Sequence, residues 1–526
     1  HGKVKMIYID PPYNTGGDFV YPDNFKEGLD TYLKYSGQAD DEGVKYSTNT
    51  ESGGRYHSNW LNMMDPRLFM AKSLLAEDGV IFVSIDDHEV ANLRTVLDEI
   101  FGSDNFVDTI CWKKKYGGGA KEKHLVSMHE YILIYARNKL LLPEIMVPLD
   151  DESISKYYKN KDENYATRGA FRTHPLEAVQ SFDIRENLAF AVTAPDGTPV
   201  YPKRQWRWGK ATFDEAIKNN EVIFNKNKNG EWVLYSKQYL KNPDGSQRKT
   251  KAQSVIADIY TLHGTNEIIE LFNNAKIFDF PKPTQLVKNF LNIGSSEEDS
   301  IILDFFAGSG TTADAVMQLN KEDGGNRKYI LVQLPEPTDE KSEAHKAGFP
   351  TIAHITRERV RRVIAKLKDE NNGKLIDPTQ GQDLGFKAFK LTASNFKLWN
   401  PDTAPTDATE LAKQLELYVD NIQPGKTDEA ILYEIILKAG FPLTAKIEAQ
   451  IIGQQTVYVV ENGALLVCLA DPIEEATLRG MLALKPVKMV ALDVAFHGND
   501  QLKTNIRLQS EQTGEGDQSR TQFVTV

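Results

Sequence analysis

Asp10-Pro11-Pro12-Tyr13 follows directly on the apolar run Val4–Ile9 and limits the fold more than any other stretch of this chain. Six consecutive apolar or long side chains predict a buried strand, and the two prolines end it abruptly. Each proline fixes its own φ and removes a backbone donor, and Pro11 holds Asp10 out of the helical region. The strand therefore closes on a small rigid cup with one carboxylate, at least one carbonyl without a partner, and one aromatic face. A flat aminated heterocycle fits such a cup: its amino group donates to Asp10 and to the Pro11 carbonyl, and its ring stacks on Tyr13. The same residues also read simply as a strand and a tight turn, since Asp-Pro is an ordinary turn opener.

A second segment narrows the choice. Ile301–Phe305 is an apolar strand that runs into Phe306-Ala307-Gly308-Ser309-Gly310-Thr311-Thr312, and Ala313–Leu319 continues at helical spacing. A glycine-rich turn at the head of a strand lets the backbone approach a nucleotide-like ligand. No lysine follows the second glycine, so this is not a phosphate loop. Ala313 stands where a dinucleotide site would have its third glycine.

Together the two segments resemble the amino-group DNA methyltransferases that use S-adenosylmethionine. Asp10–Tyr13 matches that family's catalytic motif, and Asp304-x-Phe306-x-Gly308-x-Gly310 its cofactor loop. The catalytic motif comes first, an order that resembles the β class. Gly79–Asp87, Phe101-Gly102 with Asn105-Phe106, His129–Tyr135, and Phe280-Pro281-Lys282-Pro283 are similar to the modification (Mod) subunit of type III restriction-modification systems. So are Gly385-Phe386, Leu391, Ser394-Asn395-Phe396 and Asn499-Asp500 in the tail.

The resemblance implies an α/β fold: a Rossmann-like methyltransferase sheet in permuted order, an inserted target-recognition domain and a C-terminal α+β domain. The boundaries expected are 1–140 and 275–370 for the two halves of the methyltransferase domain, 141–274 for the insert, and 371–526 for an assembly domain. It implies sequence-specific methylation of the N6 amino group of a flipped adenine, with a stand-alone β-class methyltransferase or a weakly catalytic recognition module as alternatives. In that scheme Asp10, Pro11, Pro12 and Tyr13 are catalytic. Asp304, Phe306, Ala307, Gly308, Ser309, Gly310 and Thr311 hold the cofactor, with Lys282 and Thr284 as a further methionine-binding segment. Many relatives carry an acid at the end of the second cofactor strand to bind the ribose. Gln333 stands there instead, and Glu336 is the substitute expected. The implied partners are double-stranded DNA, a second copy of the chain and a restriction (Res) helicase-nuclease subunit.

Composition sets the remaining bounds. A chain of 526 residues exceeds one ordinary domain. Its two cysteines, Cys111 and Cys468, sit far apart in apolar settings, which reads as a reduced, cytoplasmic protein. No Cys/His cluster has metal-ligand spacing, and no run reaches the roughly 20 apolar residues of a membrane span. The chain opens at His1 just before its first strand, so a preceding segment is expected.

A net charge of −12 looks unsuited to DNA, but phosphate contacts need only a local basic surface. Tyr201–Lys251 supplies one, with twelve Lys or Arg against five Asp or Glu, a balance of +7. Lys203, Arg204 and Arg207 surround Trp206 and Trp208 there, and all five are candidates for DNA contact; core packing is the competing reading of the tryptophans. Lys113, Lys114 and Lys115 open a glycine-rich basic loop and are candidates for phosphate contact, or for an ordinary solvated hairpin. Thr15–Asn59 reads as a long polar loop. Leu141–Thr265 is aromatic and irregular, without strand-helix alternation.

Overall fold

The structure, a computed structural model, describes residues 1–15, 56–117, 124–178, 185–295, 297–371, 383–397, 421–512 and 520–526. The chain divides into two compact units, His1–Gly385 and Phe386–Val526.

The first unit is built on the strand that precedes Asp10. All six residues of β1 (Val4–Ile9) are buried. Met6 and Tyr8 enter the core on one face of the sheet, and Ile7 and Ile9 the core on the other. A continuous apolar run is what a strand covered on both sides requires. Around it lie α1 (Tyr56–Leu74), β2 (Leu75–Ile85), α2 (Val90–Phe101), β3 (Phe106–Lys113) and β4 (His129–Ala136).

Helix α1 begins well before the Pro66 start that its sequence suggests. Trp60, Met63, Met64, Leu68 and Ala71 form one buried stripe at helical spacing, while Pro66 lies on the exposed side. Burial of that stripe outweighs the hydrogen bond the proline removes. Most of the expected Thr15–Asn59 loop lies outside the described residues.

The insert has more regular structure than its sequence suggests. Strands β5 (Phe171–Pro175), β6 (Val222–Lys226) and β7 (Trp232–Tyr239) form an antiparallel sheet in the order β5-β7-β6. Helix α3 (Lys210–Lys218) places Phe213 and Ala216 in its core with Leu176, Val192, Trp206 and Leu234. Within the span expected for the insert, 141–274, one segment returns to the main sheet. Short strand β8 (Val255–Ile256) runs beside Cys111 and Trp112 in the main sheet, and Trp112 Nε1 donates to the Ile259 carbonyl at 2.6 Å.

Then come α4 (Thr261–Phe272), α5 (Thr284–Gly294), β9 (Ile301–Asp304), α6 (Thr311–Asp323), β10 (Lys328–Leu331) and α7 (Ile352–Asn371). The main sheet has the order β8-β3-β4-β2-β1-β9-β10. Six of its strands run the same way and β4 alone is reversed. Helices α1 and α2 cover one face; α5 and α6 cover the other.

In the second unit, α8 (Asp428–Lys438) precedes a five-stranded sheet. Its strands are β11 (Ile447–Ile452), β12 (Gln455–Val460), β13 (Leu465–Cys468), β14 (Lys488–Ala491) and β15 (Gln522–Thr525), in sequence order across the sheet. The first three are antiparallel neighbours; β13, β14 and β15 are parallel. Helices α9 (Glu475–Ala483) and α10 (Asp500–Gln512) make the crossovers. A helix expected at Glu410–Tyr418 lies outside the described residues. Among the described residues no helix is long and apolar enough to cross a membrane, and no group of acids, histidines and cysteines could hold a metal ion.

Candidate active site

Ligands of open α/β sheets bind at the carboxyl ends of the strands. Here β1 delivers Asp10 and β9 delivers Phe306–Gly310 to that end, on neighbouring parallel strands with Val4 beside Ile301 and Ile7 beside Leu303. The reversed strand β4 starts at the same end, so its second residue, Glu130, arrives there too. The two motifs that are remote in sequence are thus side by side.

The proline turn is held from one side by a tryptophan. Trp60 Nε1 donates to the Pro12 carbonyl at 2.7 Å. Asn14 Nδ2 donates to the fully buried Glu89 at 2.5 Å, and Asn92 holds the other oxygen of that carboxylate at 2.8 Å. Among the described residues the Pro11 carbonyl accepts no hydrogen bond. The cup therefore offers one carboxylate and one unpartnered carbonyl, the acceptor pair that an exocyclic amino group needs.

Four charges meet in it. Lys282 Nζ donates to both Asp10 oxygens at 2.6 Å and to the Tyr13 hydroxyl at 3.0 Å. The Tyr13 hydroxyl lies 2.9 Å from Asp10 and 3.0 Å from Glu130. Lys114 Nζ holds the other Glu130 oxygen at 2.9 Å. Burial alone would neutralise Glu130, but Lys282 and Lys114 beside it hold its carboxyl below the ordinary range. Burial likewise opposes the Lys282 charge, and the Asp10 and Glu130 carboxylates overcome it and raise its pKa. Burial, with Asp10 and Glu130 next, pushes the Tyr13 phenol well above 10.

The glycine turn is equally fixed. Asp304 accepts from the Phe306 N–H at 3.0 Å and from the Thr312 hydroxyl at 2.6 Å. Its burial pushes the carboxyl up to about 7 in spite of those bonds. Gly308 N donates to Gln333 Oε1 at 2.7 Å, so Gln333 braces the turn. Gly310 has φ +84°, and a Cβ on it would meet both the side chain and the carbonyl of Thr356 at 3.3 Å. Glycine is needed on both counts.

Behind the turn stands Arg359, fully buried on α7. It donates to Ser309 and Thr311 at 3.0 and 2.9 Å, to Glu267 and Asp314 at 2.9 Å each, and to Thr284 at 3.0 Å. One guanidinium thus ties the turn to α4, α5 and α6. A cavity of about 320 Å³ lies on this side, lined by Glu267, Glu270, Asp314, Lys321, Lys366 and Glu370 among others. It shares no residue with the Asp10 cup, and its lining charges are paired, as Lys366 with Glu270 and Lys321 with Glu370.

Several expected residues take other places. The Thr284 side chain is buried and bound by Glu267 and Arg359, so it braces the turn instead of facing a ligand. Trp206 is 2% exposed and donates to the Phe190 carbonyl, which removes it from any DNA surface. Trp208 is half-buried against Phe213. Lys114 faces Glu130, not solvent, whereas Lys115, Lys203, Arg204 and Arg207 are exposed. Glu336 is half-buried, and burial raises its carboxyl. Glu130 and Arg359 escaped the sequence reading. The first had a signal, an acid directly before the apolar run Tyr131–Ala136 of β4; the second was one arginine among several on α7.

The DNA methylase family of N6 and N4 methyltransferases matches residues 4–336. The type III restriction-modification enzyme StyLTI Mod subunit of Salmonella typhimurium is 38% identical over 74% of this chain and 57% of its own length. The EcoP15I Mod subunit of Escherichia coli is 31% identical over 97% of this chain and 80% of its own length. The type II methyltransferase M.KpnI of Klebsiella pneumoniae is 32% identical over 70% of this chain and 84% of its own length.

Proposed function

We propose that this chain, which belongs to the N6/N4 DNA methylase family, methylates the N6 amino group of adenine in DNA as the modification subunit of a type III restriction-modification system. The observation that carries the reading is the pairing of the Asp10 carboxylate and the Pro11 carbonyl, which has no partner among the described residues, with a fixed glycine turn on the next strand. S-adenosylmethionine, the methyl donor of this family, supplies an electrophilic methyl group when bound. The turn suits it: Gly308 is half-buried and carries no side chain, and Gln333, Thr356 and Arg359 hold the turn in place. Phe306, Ala307, Gly308, Ser309, Gly310 and Thr311 would hold it, with Asp304 fixing the turn and Glu336 near the second cofactor strand.

The amino nitrogen of adenine is a weak nucleophile, because its lone pair is delocalised into the ring. Asp10 accepts one amino hydrogen and the Pro11 carbonyl the other, which draws the nitrogen toward a pyramidal geometry and localises its lone pair. Tyr13 presents its ring to the base, which must first leave the helix stack. These contacts strengthen as charge develops on nitrogen, so they act on turnover more than on binding. Lys115, Lys203, Arg204 and Arg207 supply exposed charge for phosphate contact.

The Mod similarity supports partnership with a Res subunit, and assembly with a second copy of the chain belongs to the same proposal. The match to 84% of M.KpnI favours a second reading, a methyltransferase that works without a nuclease. The test is to incubate unmethylated plasmid DNA with the protein and S-adenosylmethionine, then map methylated adenines strand by strand. Methylation at one recurrent sequence supports the proposal. Methylated cytosine, or no methylation, overturns it.

A further inference from the structure

Lys282 fills the place that the proposed reaction reserves for the target. Its three ammonium hydrogens have three acceptors: the two Asp10 oxygens at 2.6 Å and the Tyr13 hydroxyl at 3.0 Å. An adenine amino group needs one of those Asp10 oxygens. With the side chain of Lys282 only 11% exposed, its ammonium has little water to retreat into. A second carboxylate stands beside it, however. Glu130 Oε2 is 3.7 Å from Lys282 Nζ, beyond hydrogen-bond distance, and its side chain is 8% exposed. A displacement of about 1 Å would bring the ammonium into charge-assisted contact with it.

We propose that Lys282 is a placeholder for the target amino group, and that Glu130 receives its ammonium when the base arrives. The inference rests on the methyl-transfer reading above. Asp10, Glu130, Lys282 and Lys114 together carry no net charge, so the transfer keeps the buried site neutral while it uncovers Asp10. Tyr13 follows the exchange. Its hydroxyl has a single proton and two carboxylates within 3.0 Å. With Lys282 on Asp10, that proton serves Glu130; with Lys282 on Glu130, it turns to Asp10 and steadies the carboxylate under the base. Lys114 stays on the far oxygen of Glu130 and holds it in place. Glu130 is therefore a positioning residue: it acts on the base through Lys282.

The inference makes a specific demand on a double-mutant cycle. Glu130→Gln removes the charge that draws Lys282 away, so the lysine stays on Asp10 and kcat falls. Lys282→Gln removes the obstruction, so Glu130 is no longer needed. Methyl transfer from tritiated S-adenosylmethionine to unmethylated plasmid DNA is measured for the wild type, both single variants, the double variant and Glu130→Asp. KM for each substrate and the melting temperature are recorded alongside.

We expect Glu130→Gln to lose at least about tenfold in kcat, with KM for S-adenosylmethionine and the melting temperature little changed. Lys282→Gln is the background of the cycle, in which Glu130→Gln should cost less than about twofold. Glu130→Asp should retain most of the activity. Losses that multiply, a Lys282→Gln protein without activity, or wild-type turnover in Glu130→Gln would each overturn the exchange while leaving methyl transfer itself intact. A wild-type protein that transfers no methyl group would overturn the proposed function, and this inference with it.

Discussion

Among the described residues two α/β sheets have parallel strands, and only one of them buries charge at its strand ends. In the first unit, β1, β9 and the reversed β4 bring Asp10, Asp304 and Glu130 to one edge, with the side chains of Asp304 and Glu130 nearly closed to water. Lys282 and Arg359 come from elsewhere to balance them. In the second unit, β13 leads to Asp471 and β14 to Asp493, and both side chains are 44% exposed. Their partners, His497 and Lys503, also reach solvent. Parallel topology supplies the edge in both cases. What separates them is burial, because charge removed from water interacts strongly with whatever enters, and exposed charge does not.

The sharpest test of that contrast is Asp10→Ala. Its hydrogen bond to the amino group matters mainly at the transition state, so kcat should fall by about 10²–10³-fold or more. Binding of DNA and of S-adenosylmethionine should remain near normal. Steady-state kinetics with separate binding measurements would check both parts, and near-normal turnover would move the chemistry away from this edge.

Arg359→Met comes next. It strands Glu267 and Asp314 against the glycine turn without their cation, which should cost about 3–5 kcal/mol of stability and weaken cofactor binding. Thermal unfolding with and without S-adenosylmethionine measures each effect. A variant of unchanged stability would show that the guanidinium is incidental.

A smaller effect concerns pH. A carboxyl ordinarily ionises near 4, and burial holds Asp304 up to about 7. Its folded-state pKa is raised, so its stabilising contribution is complete at low pH and is lost as pH rises between those two values. Wild type should therefore lose melting temperature relative to Asp304→Asn across that window, by about 2 °C or more. A difference that stays constant with pH would refute the shift.

Asp493→Asn should do least. Its bond to Lys503 is half open to solvent, so the change should cost less than about 1 kcal/mol and leave kcat within about twofold. A large loss of methyl transfer in this variant would erase the distinction between the two sheets.

The elements most legible in the sequence are those whose local pattern and tertiary role agree. Val4–Ile9 is apolar throughout because β1 is covered on both faces, and the two prolines mark its end without ambiguity. Ile301–Asp304 and the glycines after it read equally well, because Gly310 sits at a φ that other residues avoid. Helix α1 is less legible at its start, since a proline is a local signal and the buried stripe from Trp60 to Ala71 is a longer one. Strand β8 is two residues long and takes its identity from pairing with β3, which no local pattern reveals.

The same divide runs through the site. Asp10 and Tyr13 announce themselves by motif, whereas Glu130 reaches the site because β4 runs backwards and starts where the other strands end. Trp206 reads from sequence as either a DNA contact or a core residue, and the small core around Phe213 takes it.

One measurement bears most directly on the claim that the edge around Asp10 performs the chemistry. Unmethylated DNA is incubated with S-adenosylmethionine and either the wild-type chain or Asp10→Ala, digested to nucleosides, and analysed by mass spectrometry. We expect N6-methyl-2′-deoxyadenosine with the wild type and none above background with the variant. N4-methyl-2′-deoxycytidine in its place, or equal methylation by both proteins, would contradict it.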